Sequence, residues 1–237
     1  MLSRILSILQ RRKYILYTRP YELNIVGLRS ANTKSNRFDD EIHVFYLTRR
    51  GNWNYHVFKA TTDPGTYWLK NPMQPQGTAI LAQGQYVDAY QIGLHRGQYR
   101  ALVQGRPVTI IRDYDRNTIL DFNNGKKDTG EFGINIHRAM VHGDTLQVDN
   151  WSAGCQVFEN GEAFQLFMQL CEQHRQRYGN RFTYTLIDFR AVQRETKRRI
   201  AIGAGTLLFS IVALTTLHYA RLFKTNTARQ KSSIQPT

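Results

Sequence analysis

The chain has 237 residues, a formal net charge of +14, and 41% of its residues are hydrophobic. This length allows one sizeable domain with short appendages, and this composition excludes a wholly disordered chain. Two cysteines are too few for a disulfide framework, although a single Cys155–Cys171 bridge stays open. The charge fits an anionic partner. Because the basic clusters flank apolar stretches and no nucleic-acid-binding motif occurs, a membrane is favoured over nucleic acid.

Residues 1–18 form a basic amphipathic segment. In a helix, its apolar residues fall near one another: Leu2, Ile5, Leu6, Ile8 and Leu9. It is a poor signal peptide because the apolar run is short, Arg4 interrupts it, and no small-residue cleavage site follows. Two interpretations remain open: the helix lies on a membrane surface, or it packs against the domain.

Residues 19–193 are predicted to form the main domain, which is mainly β and of the α+β class. Short β-branched and aromatic runs bounded by turn residues predict strands at LNIVGLRS, EIHVFYLTR, WNYHVFKAT, PVTIIRDYD and RFTYTLIDFR. RRGNW predicts a hairpin loop between the second and third runs. GEAFQLFMQLCEQHRQRYG predicts an amphipathic helix that ends at Gly179. Cys171 falls in the apolar stripe of that helix, which favours a structural thiol.

The C-terminal part predicts a membrane anchor. Residues 194–199 are a basic linker, and residues 200–220, IAIGAGTLLFSIVALTTLHYA, carry no formal charge. A helix of about 20 such residues spans the hydrocarbon layer of a bilayer. Residues 221–237 form a polar tail. Basic residues flank both ends of the apolar segment, so they do not decide its orientation.

The stretch VDNWSAGCQVF contains Cys155, and GINIHRA upstream contains His137. A thiol becomes a nucleophile when an imidazole takes its proton, and small residues leave backbone N–H groups open to a developing oxyanion. SAGC would supply such a turn, and GINIH is predicted to be a strand that ends at His137. From these residues alone, a dyad and a buried thiol beside an unrelated histidine both remain possible.

Ser152 follows His137 by fifteen residues, and TTDPGTYWLKNPMQPQGTAILAQGQY lies upstream. Over roughly residues 40–190 this pattern resembles the L,D-transpeptidase (YkuD-like) catalytic domain, in its divergent bacterial and phage-type branch with SAGC in place of SHGC. The resemblance implies a β-sandwich, no cofactor, and peptidoglycan as the partner. It implies Cys155 as the nucleophile and His137 as the general base. Gly154 and Cys155 would supply oxyanion-hole N–H groups.

The resemblance also assigns supporting and substrate-binding residues. Ser152 and Arg138 would support the site, and either the main-chain carbonyl of Arg138 or a nearby side chain would hold the imidazole of His137 in its working tautomer. The residues expected to contact substrate are Trp151, His95, Gly77 and Thr78.

Three positions depart from the family pattern. Ala153 replaces the histidine of the turn, Val157 replaces an arginine, and Arg138 replaces a glycine. Loss of the arginine weakens binding of an acceptor, which favours hydrolysis of stem peptides over L,D-transpeptidase cross-linking. A non-catalytic murein-binding or structural membrane protein is the remaining alternative.

The expected location is a membrane facing peptidoglycan, either the host inner membrane or the internal membrane of a phage virion. There the protein would act in lysis or when infection begins. No metal is expected, since no zinc-ligand pattern occurs. Asp113 and Asp115 in RDYDRN are interpreted as a polar turn rather than as metal ligands. The sequence does not define an oligomeric state.

Overall fold

The computed structural model describes residues 1–198 and residue 200. The chain forms two compact units, Met1–Val192 and a second that begins at Gln193. In the second unit, residues 193–198 are helical. Apart from residue 200, the predicted membrane helix over 200–220 lies outside the described residues, as does the polar tail over 221–237. Among the described residues, no helix has the length and apolar character needed to cross a membrane.

The first unit is built mainly from strands. Its helices are α1 (Leu2–Arg11), α2 (Thr66–Lys70) and α3 (Gly161–Tyr178). Its strands are β1 (Asn24–Arg29), β2 (Asp40–Leu47), β3 (Trp53–Thr61), β4 (Thr78–Leu81), β5 (Gly84–His95), β6 (Tyr99–Gln104), β7 (Val108–Asp113), β8 (Lys127–Gly130), β9 (Ile136–Arg138), β10 (Gln156–Phe158) and β11 (Phe182–Asp188). Residues 189–192 are helical as well. The predicted mainly β, α+β class is confirmed.

Eight strands close into a barrel in the order β1-β11-β5-β6-β9-β10-β3-β2, and β4-β7-β8 form a separate sheet. This differs from the expected sandwich of two facing sheets. The barrel closes because two parallel pairs, β1 with β11 and β9 with β10, join its antiparallel strands. The short strands β9 and β10 thereby connect β6 to β3.

The barrel core explains why α3 forms where the sequence predicts it. Its buried stripe is the apolar series of every third or fourth residue, namely Phe164, Phe167, Leu170 and Cys171. These side chains join strand residues such as Ile136 and Phe158 in one hydrophobic cluster. The side chain of Asn160 caps the helix by accepting from the N–H of Ala163 at 2.7 Å. Gly179, with φ +89°, ends the helix.

Helix α1 packs against the domain. Ile5, Ile8 and Leu9 are buried in a second cluster that includes Val26 and Phe45. Of the two interpretations left open by the sequence, the structure supports the packed helix. This packing also explains why β1 is buried along its whole length, since one face points to the barrel core and the other to α1.

The five strands expected from the sequence are present as β1, β2, β3, β7 and β11. The RRGNW hairpin is also present: the N–H of Thr48 donates to the carbonyl of Asn52 at 2.8 Å, and Gly51 has a φ of +78°. The structure adds β4, β5, β6, β8 and β10, which the sequence did not reveal.

Candidate functional site

Cys155 and His137 lie on neighbouring parallel strands. In the β9–β10 register Val157 pairs with His137, and the N–H of Gln156 donates to the carbonyl of Asn135 at 2.8 Å. Cys155 therefore lies beside Asn135, two residues before the partner of His137. The β9–β10 pairing thus brings Cys155 close to His137 across the two neighbouring strands. With a strand separation of about 4.8 Å and a rise of about 3.3 Å per residue, their Cα atoms are roughly 8 Å apart.

The turn before Cys155 is held by Ser152. The buried Ser152 hydroxyl donates to the carbonyl of Cys155 at 2.8 Å and accepts from the N–H of Gly154 at 3.1 Å. Gly154 has a φ of +122°, and a Cβ there would lie 2.4 Å from the carbonyl oxygen of Ala79. Only glycine fits this position without strain.

The two N–H groups expected to form an oxyanion hole differ in this geometry. The N–H of Gly154 is already donated to Ser152. The N–H of Cys155 donates to no acceptor within the described part of the chain. Cys155 is therefore the donor that a substrate oxyanion would meet first.

The thiol of Cys155 is half-buried and protonated at rest. The Cys155 S–H donates to the carbonyl of Gly133 at 3.4 Å, and the N–H of Asn135 donates to the sulfur at 3.4 Å. Burial raises the pKa of Cys155 to about 11, although the N–H of Asn135 and the charge of Arg96 act in the opposite direction. No hydrogen bond joins Cys155 to His137 among the described contacts, so the thiol has to rotate away from Gly133 to reach the imidazole.

The imidazole of His137 is oriented by a carbonyl. Its Nδ1 lies 2.9 Å from the carbonyl oxygen of Arg138, the first of the two alternatives that the family resemblance implies. A carbonyl can only accept, so Nδ1 carries the proton and Nε2 presents a free lone pair. The hydroxyl of Tyr99 donates to the same carbonyl at 3.1 Å. Burial lowers the pKa of His137 to about 3. His137 is thus a neutral base over the ordinary pH range.

His95 lies against His137 rather than in an open cleft. Their rings stack with centroids 4.0 Å apart and an interplanar angle of 21°. His95 is 6% exposed, and its Nδ1 accepts from the side-chain amide of Asn135 at 3.1 Å. Burial lowers the pKa of His95 to about 4, with the charge of Arg96 as a second cause. The contact with His137 makes His95 a supporting residue for the imidazole.

Two of the four residues expected to bind substrate line a cavity next to the SAGC turn. This cavity, of about 350 Å³, is lined by Gly77 and Thr78 together with Ala153 and Phe132. Trp151 is 40% exposed and lies outside the lining of this cavity. A second cavity of about 480 Å³ is lined in part by Tyr99 and Arg138, the two residues that contact Nδ1 of His137.

Four residues of the site were not identified from the sequence: Tyr99, Asn135, Gln156 and Arg96. Asn135 had a usable signal, because it lies two residues before His137 in a predicted strand and hence on the same face. Gln156 is buried, and its amide donates to the carbonyl of Gly154 at 3.2 Å while its Oε1 accepts from Tyr184 at 2.8 Å. Tyr99 and Arg96 reach the site through the pairing of β5 with β6.

No family model, curated protein or solved structure matches this chain. What the site does is therefore inferred from its residues and their geometry.

Proposed function

We propose that the protein is a membrane-anchored, cysteine-dependent enzyme of the L,D-transpeptidase-like kind that cleaves peptidoglycan stem peptides. The observation that carries the proposal is the parallel pairing of β9 and β10, in which Cys155 lies beside Asn135, two residues before His137. The fixed tautomer of His137 adds to it, because its Nε2 is free to accept a proton.

In the first step, Nε2 of His137 takes the thiol proton of Cys155 as the sulfur attacks the peptide carbonyl. A C–S bond forms, and the oxyanion accepts from the N–H of Cys155. The C–N bond then breaks, and the imidazolium gives its proton to the leaving amine. The product is a thioester on Cys155.

In the second step, a water molecule attacks the thioester and His137 accepts a proton from that water. The C–S bond breaks, the acid product leaves, and the thiol of Cys155 regains its proton. Water is favoured over an amine acceptor because Val157, which replaces the family arginine, is 0% exposed and cannot contact an acceptor. Hydrolysis is the expected outcome.

Positive charge around the site supports an acidic substrate. Arg96 is exposed in the turn between β5 and β6, and its charge affects the pKa of Cys155 and of His137. The guanidinium of Arg138 lies 4.2 Å from the ring centroid of Tyr99. Stem peptides carry carboxylates, which guanidinium groups bind well. The net charge of the whole chain, +14, is also positive and likewise favours an acidic substrate.

The test is digestion of purified sacculi by the full-length protein in detergent, followed by mass spectrometry of the released muropeptides. We expect the protein to release shortened stem peptides and Cys155→Ala to lose at least ~10³-fold in rate. Cys171→Ala, which changes the other cysteine at its buried place in α3, is the matched control and should retain activity. Equal release by the protein and by Cys155→Ala would reject the enzyme.

Cross-linking remains the second candidate. The cavity of about 480 Å³ lined by Tyr99 and Arg138 is large enough to hold an acceptor amine. In the same experiment, new dimeric muropeptides in place of shortened stems would identify transpeptidation. Binding to sacculi without any Cys155-dependent product would instead identify a non-catalytic murein-binding protein.

The membrane location is proposed from residues 200–220, which lie mostly outside the described part of the chain. The resemblance to the phage-type branch of the family supports a phage product held in the host inner membrane or in an internal virion membrane. Separation of purified particles, host membranes and the soluble fraction tests this location. Recovery in purified particles would indicate the virion, recovery in host membranes would indicate lysis, and a fully soluble protein would contradict the anchor.

A further inference from the structure

Three carboxylates meet in the loop that follows β7, apart from the Cys155 site. Within the described residues, one oxygen from each of Asp113, Asp115 and Asp121 lies within 4.8 Å of the others. Asp113 is 1% exposed. Its Oδ2 accepts from the N–H of Asp121 at 3.0 Å, whereas its Oδ1 has no hydrogen-bond partner among the described residues. A buried carboxylate oxygen without a partner is costly, so this arrangement calls for a cation.

Negative charge accumulates at this loop. The carboxylates of Asp113, Asp115 and Asp121 lie within 4.8 Å of one another, and Asp113 is buried, so their like charges repel at close range. A bound cation would offset both the burial and the mutual repulsion of the carboxylates. Asp115 is exposed and Asp121 half-buried, so an ion can reach the cluster from solvent.

We propose that Asp113, Asp115 and Asp121 bind a hard divalent cation, and that this cation is Ca²⁺. Carboxylate oxygens are the ligands that such ions take. At Ca–O distances of about 2.3–2.6 Å, two ligands of one ion are separated by no more than roughly 5 Å. The spacing of the three oxygens fits that limit. Ca²⁺ is chosen over Mg²⁺ because it accepts irregular sets of carboxylate ligands, whereas Mg²⁺ demands near-ideal octahedral geometry.

The site adjoins the cavity beside the SAGC turn. Asp113 pairs with Thr78 in the β4–β7 register, and a Cβ on Gly77 would lie 2.1 Å from the carbonyl oxygen of Asp113. Gly77 and Thr78 line that cavity. A cation bound at Asp113 therefore fixes one wall of the cavity, whatever chemistry Cys155 carries out.

The test is a Ca²⁺ titration of the full-length protein in detergent after treatment with EGTA. Binding is monitored by calorimetry and by the loss of Tb³⁺ luminescence as Ca²⁺ displaces Tb³⁺. We expect saturable binding with a Kd on the order of 10⁻⁴ M or tighter, and a Tm that rises with Ca²⁺. Asp115→Asn, which changes an exposed ligand and so leaves the fold intact, should weaken binding by at least ~10-fold. Asp121→Asn should do the same.

Asp144→Asn is the matched control, since it removes the same charge from an exposed loop outside the cluster. It should bind Ca²⁺ as tightly as the unchanged protein. Two results would overturn the proposal: no saturable binding up to about 10 mM Ca²⁺, well above the usual range for protein sites, or equal binding by Asp115→Asn and Asp144→Asn. Tighter binding of Mg²⁺ than of Ca²⁺ would overturn the choice of ion.

Discussion

The resting states of Cys155 and His137 are both neutral, and burial is the main cause in each case. Burial raises the pKa of the Cys155 thiol to about 11 and lowers that of the His137 imidazole to about 3. A thiolate–imidazolium pair would show the opposite shifts. Under the proposed mechanism, the thiolate would form only when a substrate is bound and the proton moves to Nε2 of His137.

This electrostatic state predicts slow alkylation of Cys155 at neutral pH. In a Cys171→Ala background, the rate of reaction with iodoacetamide should rise roughly tenfold per pH unit from about pH 7 to about pH 10, because the thiolate is the reactive form. Mass spectrometry of the labelled chain measures the rate. A rate that levels off below about pH 8 would show a stable thiolate at rest and contradict the neutral pair.

At the scale of elements, the strands with long apolar runs were predictable and the strands that build the site were not. β9 and β10 each have only three residues, too few for an alternating pattern to show. β5 is long, but its burial does not alternate regularly, because different neighbours cover it along its length. The stacking of His95 on His137 depends on the pairing of β5, β6 and β9, which no local pattern records.

The candidate site was therefore only partly predictable. The family motif indicated Cys155 and His137, and the parallel register supplies a physical reason for their proximity. The hydrogen bond from Gly154 to Ser152 was not predictable, since it depends on how the turn folds onto its own serine. Small residues in SAGC predicted an open turn, whereas the left-handed φ of Gly154 shows a more specific constraint.

That constraint predicts a large stability difference between two glycine substitutions. Gly154→Ala forces a Cβ into the carbonyl of Ala79 at a φ of +122°, and should lower the free energy of unfolding by about 3 kcal/mol or more. Gly51→Ala has a φ of +78° but no atom within 4 Å of its Cβ, and should cost about 1 kcal/mol. Urea unfolding of both variants measures the difference, and equal losses would contradict the close contact at Gly154.

At the scale of the whole molecule, the barrel unit holds several histidines whose pKa is lowered together with carboxylates whose pKa is raised. Burial lowers the pKa of His56, His95, His137 and His174. Burial also raises the pKa of Asp63 to about 8, against the charge of Arg29. As the pH changes, the lowered pKa values of the histidines and the raised pKa of Asp63 change the stability in opposite directions. The pH dependence of the unchanged protein therefore does not isolate either effect.

A histidine whose folded pKa lies below its unfolded value contributes stability that is present above the unfolded pKa. That contribution is lost as the pH falls through the folded pKa. For His137 the window runs from 6.5 down to about 3. Within it the unfolded chain binds one more proton than the folded chain, which adds up to ~1.4 kcal/mol per pH unit to the slope of stability against pH.

His137→Gln removes this titration and leaves Asp63 unchanged. The slope of stability against pH can therefore be compared directly between the variant and the unchanged protein. Urea unfolding at several pH values between about 6 and about 4 should give a slope smaller by up to ~1.4 kcal/mol per pH unit in His137→Gln. His142→Gln is the matched control, because it removes an imidazole that is exposed and contacts Glu162 rather than the core, and it should change the slope less than His137→Gln does. If His137→Gln shows no smaller slope, the imidazole is not buried as a neutral group. Its pKa would then equal that of the unfolded chain, and burial would not keep His137 neutral below pH 6.5.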